Sequence, residues 1–427
     1  MKITGKNSVG FPFVVIAAML VIIGVESQAQ DWPQWRGANR DGISRETGLN
    51  LDWTSSKPPL AWTFREAGAG YSAPTIVGTT LYSQGAADGN DFAFAIDTRT
   101  GNLKWKQILG SAFVEDRGNG PRGSVTIDGD KLYLVRGGGQ IHCLSAIDGR
   151  IIWQKDIIED PNSRRLMWGH SESPLVDGNL MIYTPGGEQG TMAALDKNTG
   201  EIVWRSTDWT DPLSHTSPIV AEIDGVRQYI KVSKYGVGGV AANDGRLLWK
   251  VEIAGIRSAN AVIPTPICQG NIVYLTAGYN AGCTALRITG TGETFNAEII
   301  YTNRNMSNHH GGVVLVNGYI YGFSEAPGWM CQNLLTGETV WSQRVSGVGK
   351  GAVVAVNDRL ILFDERTGLI TIALASPDGW MEFGRMEIPE RSEIESMDNM
   401  VWTHPVVADG KLFVRDHDLL FCFDLKR

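Results

Sequence analysis

The chain has 427 residues, of which 43% are hydrophobic and 20% charged, with a formal net charge of −8 at pH 7. That balance suits a folded globular chain and offers nucleic acid or an anionic membrane surface no basic patch. Five scattered cysteines, Cys143, Cys268, Cys283, Cys331 and Cys422, include no CxxC and no adjacent pair. This excludes a disulfide framework and leaves iron–sulfur, c-type haem and dithiol chemistry without a motif.

Residues 1–29 read as an export signal. Lys2 and Lys6 form its basic start, an apolar run from Phe11 to Val25 is broken only by Pro12 and Gly24, and Ser27-Gln28-Ala29 offers a small-x-small cleavage site. The run is short for a bilayer span, and no Cys follows it for lipid attachment. Cleavage removes two lysines and one glutamate, so the net charge of −8 becomes −9. No later stretch is long and apolar enough to span a membrane, so a soluble periplasmic or secreted protein is expected.

Residues 30–58 read as an irregular segment. In it, Asp31-Trp32-Pro33-Gln34-Trp35-Arg36-Gly37 and Asn39-Arg40-Asp41-Gly42 set two Trp beside Pro and Gly, which suits a hydrophobic plug against an edge or a channel end. Leu60–Phe64 follows as a strand around Trp62 that lacks a preceding Ala-x-Asp turn.

From there one frame recurs to the end, over residues 59–427. Its clearest copy is Ala95-Ile96-Asp97-Thr98-Arg99-Thr100-Gly101-Asn102-Leu103-Lys104-Trp105: a strand, a tight turn, and a strand carrying Trp. Asp and Thr bond the local backbone, Gly accepts positive φ, and the Trp can stack over a neighbouring turn. The first unit starts at Tyr71 and ends at Trp105, and each of its runs is short, apolar or alternating. The second runs from Arg122 to Ala146-Ile147-Asp148-Gly149 and Trp153. The third runs from His170 to Asp196-Lys197-Asn198-Thr199-Gly200 and Trp204, and the fourth from His215 to Asp244-Gly245 and Trp249. A fifth, degenerate unit has Pro266, Tyr274 and Ala285 but no closing Trp, whereas the sixth, from His310, recovers Thr336-Gly337 and Trp341. The seventh, from Lys350 to Asp378-Gly379, keeps its strands and loses the motif.

The last unit starts at Trp402 and stops at Cys422-Phe423-Asp424 without a Trp strand, which the strand around Trp62 can supply. Four strands in about 45 residues is one propeller blade. The expected fold is therefore all-β: an eight-bladed β-propeller of four-stranded blades, its ring closed by strands from both termini. Asp97, Gly101, Trp105, Trp153, Asp196, Gly200, Trp204, Trp249 and Trp341 are structural docking residues in this reading. Cys143, Cys331 and Cys422 occupy the small buried position of the turn, and Cys283 shares its strand face, so all four belong to the core.

The frame Ala-x-Asp-x-x-Thr-Gly-x-x-x-Trp at 95–105 and 194–204, with looser copies ending at Trp153, Trp249 and Trp341, resembles the PQQ-like (quinoprotein alcohol dehydrogenase-like) propeller family. The opening Asp31–Gly37 is also similar to the start of exported bacterial members of that family. The resemblance implies one of two roles. Quinoprotein dehydrogenases of the family hold pyrroloquinoline quinone and calcium on the channel axis, with an Asp base, oxygen ligands and usually a vicinal disulfide. Non-enzymatic members, such as the outer-membrane assembly lipoprotein, use the blades as a binding scaffold. This chain has no adjacent Cys pair, and no calcium-ligand set matches residue by residue.

The segment approaching each inner strand opens onto the channel. Those positions carry Tyr71, Arg122, His170, His215, His310, Lys350 and Trp402, with Asn260 further upstream in the fifth unit and His309 and His404 beside members of the set. Three readings compete: strand-end caps in a water-filled channel, a pocket for a small polar or anionic molecule or a carbohydrate, or a metal or acid–base site. No His-x-His or His-x-x-x-His spacing supports metal. Asp88-Gly89-Asn90-Asp91 reads as a hairpin turn rather than a calcium loop. Glu115-Asp116 and Asp364-Glu365 read as solvated surface pairs, and Gly137-Gly138-Gly139 and Gly186-Gly187 precede no helix and are not phosphate loops. The favoured function is ligand or partner binding at the channel mouth with no cofactor, no nucleic acid and no membrane span. A PQQ- and calcium-dependent alcohol or sugar dehydrogenase and a protein-docking scaffold are the alternatives.

Overall fold

The Asp-x-x-Thr-Gly turn works as its chemistry dictates. The Asp97 carboxylate accepts the backbone N–H groups of Arg99 at 2.9 Å and Thr100 at 3.2 Å. Gly101 then closes the turn at φ 74°, donating its N–H to the Asp97 carbonyl at 2.8 Å. Hydrogen bonding from Arg99 holds the Asp97 carboxyl down at about 2. A Cβ on Gly101 would meet the indole of Trp62 at 2.9 Å, so the absent side chain is what lets the neighbouring ring lie on the turn.

This is a computed structural model, describing residues 1–2, 5, 30–156, 166–291, 293–396 and 399–426. The signal read over residues 1–29 lies almost wholly outside the described residues. Among them, no helix is long and apolar enough to cross a membrane.

Eight sheets form the eight blades of a β-propeller, seven four-stranded and one five-stranded. Blades one to seven follow in chain order at 75–111, 126–156, 175–205, 219–252, 267–303, 313–343 and 351–387. Blade eight combines Val406–Ala408, Lys411–Asp416 and Leu419–Asp424 with Leu60–Phe64, and Trp62 pairs Cys422. Strands from both ends of the propeller region thus close the ring. Arg415, fully buried, locks that closure by donating to the carbonyls of Ser72, Gln84, Ala67 and Gly68 in and before blade one.

At most seams between blades an aromatic ring lies over the next blade's turn. The Nε1 of Trp62, Trp105, Trp153 and Trp341 donates to Thr98, Ala146, Lys197 and Ser376 carbonyls at 2.8–3.0 Å. Trp204 covers Gly245 in the same way without a hydrogen bond. Trp249 departs from the docking role read for it. Its Nε1 donates at 2.6 Å to Gln228 of its own blade, because blade five has a long hairpin, Gly282–Thr291 and Thr294–Asn303, where the tight glycine turn would stand.

Two seams use rings the repeat does not announce. In blade five, Tyr301 pairs Ala285 as Trp105 pairs Ala95; it lies over Gly337, and its hydroxyl donates to the Leu334 carbonyl at 2.8 Å. In blade seven, Gly384 stands where the ring is missing, and Trp53 of the N-terminal segment packs there, 3% exposed. Asn50 beside it donates to the Leu425 carbonyl at 2.7 Å.

The rest of that segment crosses the axis as a plug. Trp32 exchanges two backbone hydrogen bonds with Ile76 of blade one, and Pro33 accepts from Ile127 of blade two. Arg40 donates to the carbonyls of Ser173, Pro174 and Pro218 at the start of blades three and four. Trp35 donates to Thr265 ahead of blade five, and Arg36 to the Val313 carbonyl of blade six. Ile43–Ser44 adds a parallel strand to blade seven, and Glu46 accepts from Gly410 of blade eight. The segment therefore bonds to all eight blades.

Candidate functional site

The plug turns the channel into a funnel with a floor. Above Trp35 and Arg36 lies a cavity of about 400 Å³. Tyr71, Arg122, His215, His309, His310, Lys350, Trp402 and His404 all line it. His170 and Asn260 do not. His170 is buried behind the wall, its N–H donating to the Gly137 carbonyl, and Asn260 is exposed just after the short helix Ala254–Ser258. That helix lengthens the approach to blade five, so Ile263, Pro264 and Thr265 reach the cavity in place of Asn260.

The wall contains a continuous arc of rings. Tyr71 lies 5.0 Å from Trp402, Trp402 stacks on His310 at 4.4 Å and 18°, His310 meets His309 at 3.9 Å, and His309 meets Tyr279 edge-on at 4.7 Å. Trp168 and His215 form a second pair, 6.0 Å apart. At the floor, the edge of Trp35 meets His404 at 4.6 Å. Tyr279 and Asn280 both adopt left-handed φ of 58°, unusual for a bulky residue. The Glu325 carboxylate holds them there, accepting both backbone N–H groups at 3.0 and 3.1 Å.

Charge in the wall is mostly paired. Lys350 donates to Glu365 at 2.8 Å and lies 3.2 Å from His309 Nδ1. Arg122 pairs with Glu115 at 3.3 Å, donates to the Gly118 and Gly120 carbonyls, and lies 4.8 Å over Phe113. Burial, and secondarily Lys350, pushes His309 down to about 3. Burial likewise takes His215 and His404 to about 3 and His310 well below its ordinary value, so all four imidazoles are neutral at pH 7. Burial raises the Glu365 carboxyl against the pull of Lys350.

Glu365 corrects the reading of Asp364-Glu365 as a solvated surface pair. Asp364-Glu365-Arg366-Thr367-Gly368 is the same Asp-x-x-Thr-Gly turn, with Asp364 accepting from Arg366 and Thr367, but it sits at the opposite end of the blade. The turn motif was therefore the available signal, and it delivers Glu365 to the axis. Trp35 and Arg36 were read only as plug residues, and Trp168 and Tyr279 carried no signal in the repeat. Asp88–Asn90 is a hairpin turn, with Asp88 and Gly89 at positive φ.

The site does not fit calcium with a quinone. Calcium takes about six to eight oxygen ligands, whereas the only carboxylate lining the cavity, among the described residues, is Glu365, already held by Lys350. No group of three or more His, Cys, Asp or Glu among the described residues is arranged for a metal ion. All five cysteines are free, four of them buried in the core.

Comparison with known proteins agrees with the repeat. Residues 90–343 match the family model described as outer membrane protein assembly factor BamB. The outer membrane protein assembly factor BamB of Moranella endobia (strain PCIT) is 25% identical over 316 residues, covering 67% of this chain and 72% of that protein. Among solved structures, BamB from Moraxella catarrhalis matches with a TM-score of 0.62 at 14% identity, over 87% of this chain and 99% of that one. Quinohemoprotein alcohol dehydrogenase from Comamonas testosteroni matches with a TM-score of 0.59 at 12% identity, over 93% and 80%. At such identities the structural likeness speaks for the fold alone, which an assembly factor and a dehydrogenase share. The sequence match spans more than half the chain, and by it this protein belongs to the PQQ-repeat β-propeller family of outer membrane protein assembly factor BamB.

Proposed function

We propose that the protein is an exported, periplasmic or secreted binding propeller with no catalytic centre of its own, and that its recognition site is the floored cavity at the mouth of the ring. Convergence carries this reading: residues from all eight blades and the segments that lead into them, spread from Tyr71 to His404, surround one space whose floor the N-terminal segment closes. A cavity of about 400 Å³ falls within the roughly 300–1,000 Å³ of small-molecule sites. Imidazoles held near 3 are poor general bases at neutral pH, where a catalytic group is best matched to its medium. They suit neutral hydrogen bonding and ring contact. Calorimetric titration with neutral sugars, polyols and small acids tests the reading, and saturable binding is the expected result. Dye reduction with alcohols or sugars after adding PQQ and calcium, lost again on removing the quinone, overturns it.

The family match favours a second reading, in which the same face docks a protein partner. No binding across the small-molecule panel, together with a stable complex with purified outer-membrane assembly components, moves the conclusion to this reading.

A further inference from the structure

Arg36 is the charge the site leaves unanswered. Its side chain is 3% exposed and lines the cavity floor. Nη2 donates to the carbonyls of Asp41 and Val313, while the buried Nε has no hydrogen-bond partner among the described residues. The Asp41 carboxylate is committed to Arg45 at 2.6 Å. Of the other cations lining the cavity, Lys350 is answered by Glu365 and Arg122 by Glu115, and Arg117 is engaged in a contact of its own. A buried guanidinium hydrogen-bonded only to carbonyls, with the nearby Asp41 carboxylate engaged by Arg45, keeps its positive charge without a direct ion pair, an expensive arrangement. It is also open on one side. Gly312 lines the cavity, and a Cβ there would stand 2.6 Å from Arg36 Nη1 and 3.3 Å from His404 Cε1. The missing side chain leaves the guanidinium reachable from the cavity.

We propose that Arg36 is an anion seat at the cavity floor, taking the carboxylate of a small organic acid whose ring-shaped body lies against the arc from Tyr71 through Trp402 to Tyr279. The proposal rests on the binding reading of the cavity. One unanswered cation matches one negative charge, which favours a carboxylate over a doubly charged phosphate group. Guanidinium–carboxylate contacts are also among the stronger hydrogen bonds available to a protein. The aromatic arc favours a flat or ring-shaped body over a bare inorganic anion, because ring faces reward apolar and C–H contact.

The test compares acids with their uncharged amides on the whole exported chain by calorimetry: glucuronate against glucuronamide, and benzoate against benzamide. At least one acid is expected to bind about tenfold or more tightly than its amide, the size of a lost charged hydrogen bond. The preferred acid then tells a saccharide acid from an aromatic one. Arg36→Lys, which keeps the charge but moves it, is expected to weaken the acid by about tenfold and leave the amide unchanged. If Arg36→Lys does not fold, hydrogen exchange of residues 32–42 in the unaltered protein locates the contact, with protection expected on adding acid and not amide. Equal binding of acid and amide, or unchanged exchange at 32–42, overturns the seat while the cavity reading stands. No binding by any acid, amide or neutral sugar overturns both.

Discussion

At the rim of this propeller most seams are closed by a ring over a neighbour's turn, whereas at the hub one unrepeated segment bonds to every blade. Trp62 at the rim touches one turn, at Thr98 and Gly101. Arg40 at the hub holds three carbonyls in two blades, and the residues around it reach the other six. Rim contacts are redundant, because losing one loosens one seam. Hub contacts are single, so they couple the ring and also build the floor of the cavity. The cavity is in this sense a by-product of how the ring is tied.

Acid separates hub from rim most strongly. His215, His309 and His404 have folded pKa values near 3, depressed from 6.5, so the unfolded chain takes up protons first. Stability is therefore expected to fall as pH drops from 6.5 towards 3, by several kcal/mol in total, with Glu365 opposing because burial raises its carboxyl. Asp97 at the rim, held at about 2, withdraws its support only below its ordinary 3.8. Denaturant unfolding between pH 7 and 4, monitored by hydrogen exchange, should show the cavity wall opening before the rim turns. Simultaneous loss would remove the distinction.

Arg40→Ala comes next. It strips donors from buried carbonyls of Ser173, Pro174 and Pro218, and about 3–5 kcal/mol of stability should be lost. Faster exchange is expected beyond blades three and four if the hub couples the ring. Trp62→Ala should cost about 3–4 kcal/mol by cavity formation at a buried ring, with faster exchange confined to the seam between blades eight and one. A change of less than 1 kcal/mol for Arg40→Ala would reduce the plug to decoration.

Legibility in the sequence divides along the same line. The rim repeats, so each turn is checked by its copies, and eight blades with a ring closed by the strand at Trp62 could be read before any coordinates. Measuring back from each turn named ten residues, of which eight line the cavity. It failed at Asn260, where the helix 254–258 adds length the repeat does not have, and at His170, which turns into the wall. The hub has no copies. Nothing in Trp35-Arg36 distinguishes a floor from a surface plug until the blades surround it, and Trp53 becomes a seam residue only because Gly384 is empty. Neutral imidazoles were equally hidden, since their state depends on burial.

The smallest effect tests the rim's own exception. Tyr301 and Trp249 reverse what the repeat suggested: the unannounced tyrosine closes the seam to blade six, and the tryptophan that matches the frame bonds inside its own blade. Tyr301→Phe removes one hydroxyl and leaves the Leu334 carbonyl without that donor, so about 1 kcal/mol should be lost. Trp249→Phe loses a bond of similar worth to Gln228. Stability alone will not tell them apart, but location will. Tyr301→Phe is expected to speed exchange in the blade-six turn at 333–338, across the seam, whereas Trp249→Phe should change exchange within blade four and leave the hairpin of blade five as it was. If Trp249→Phe loosens blade five instead, the tryptophan is a seam residue after all, and the frame's plainest reading is restored.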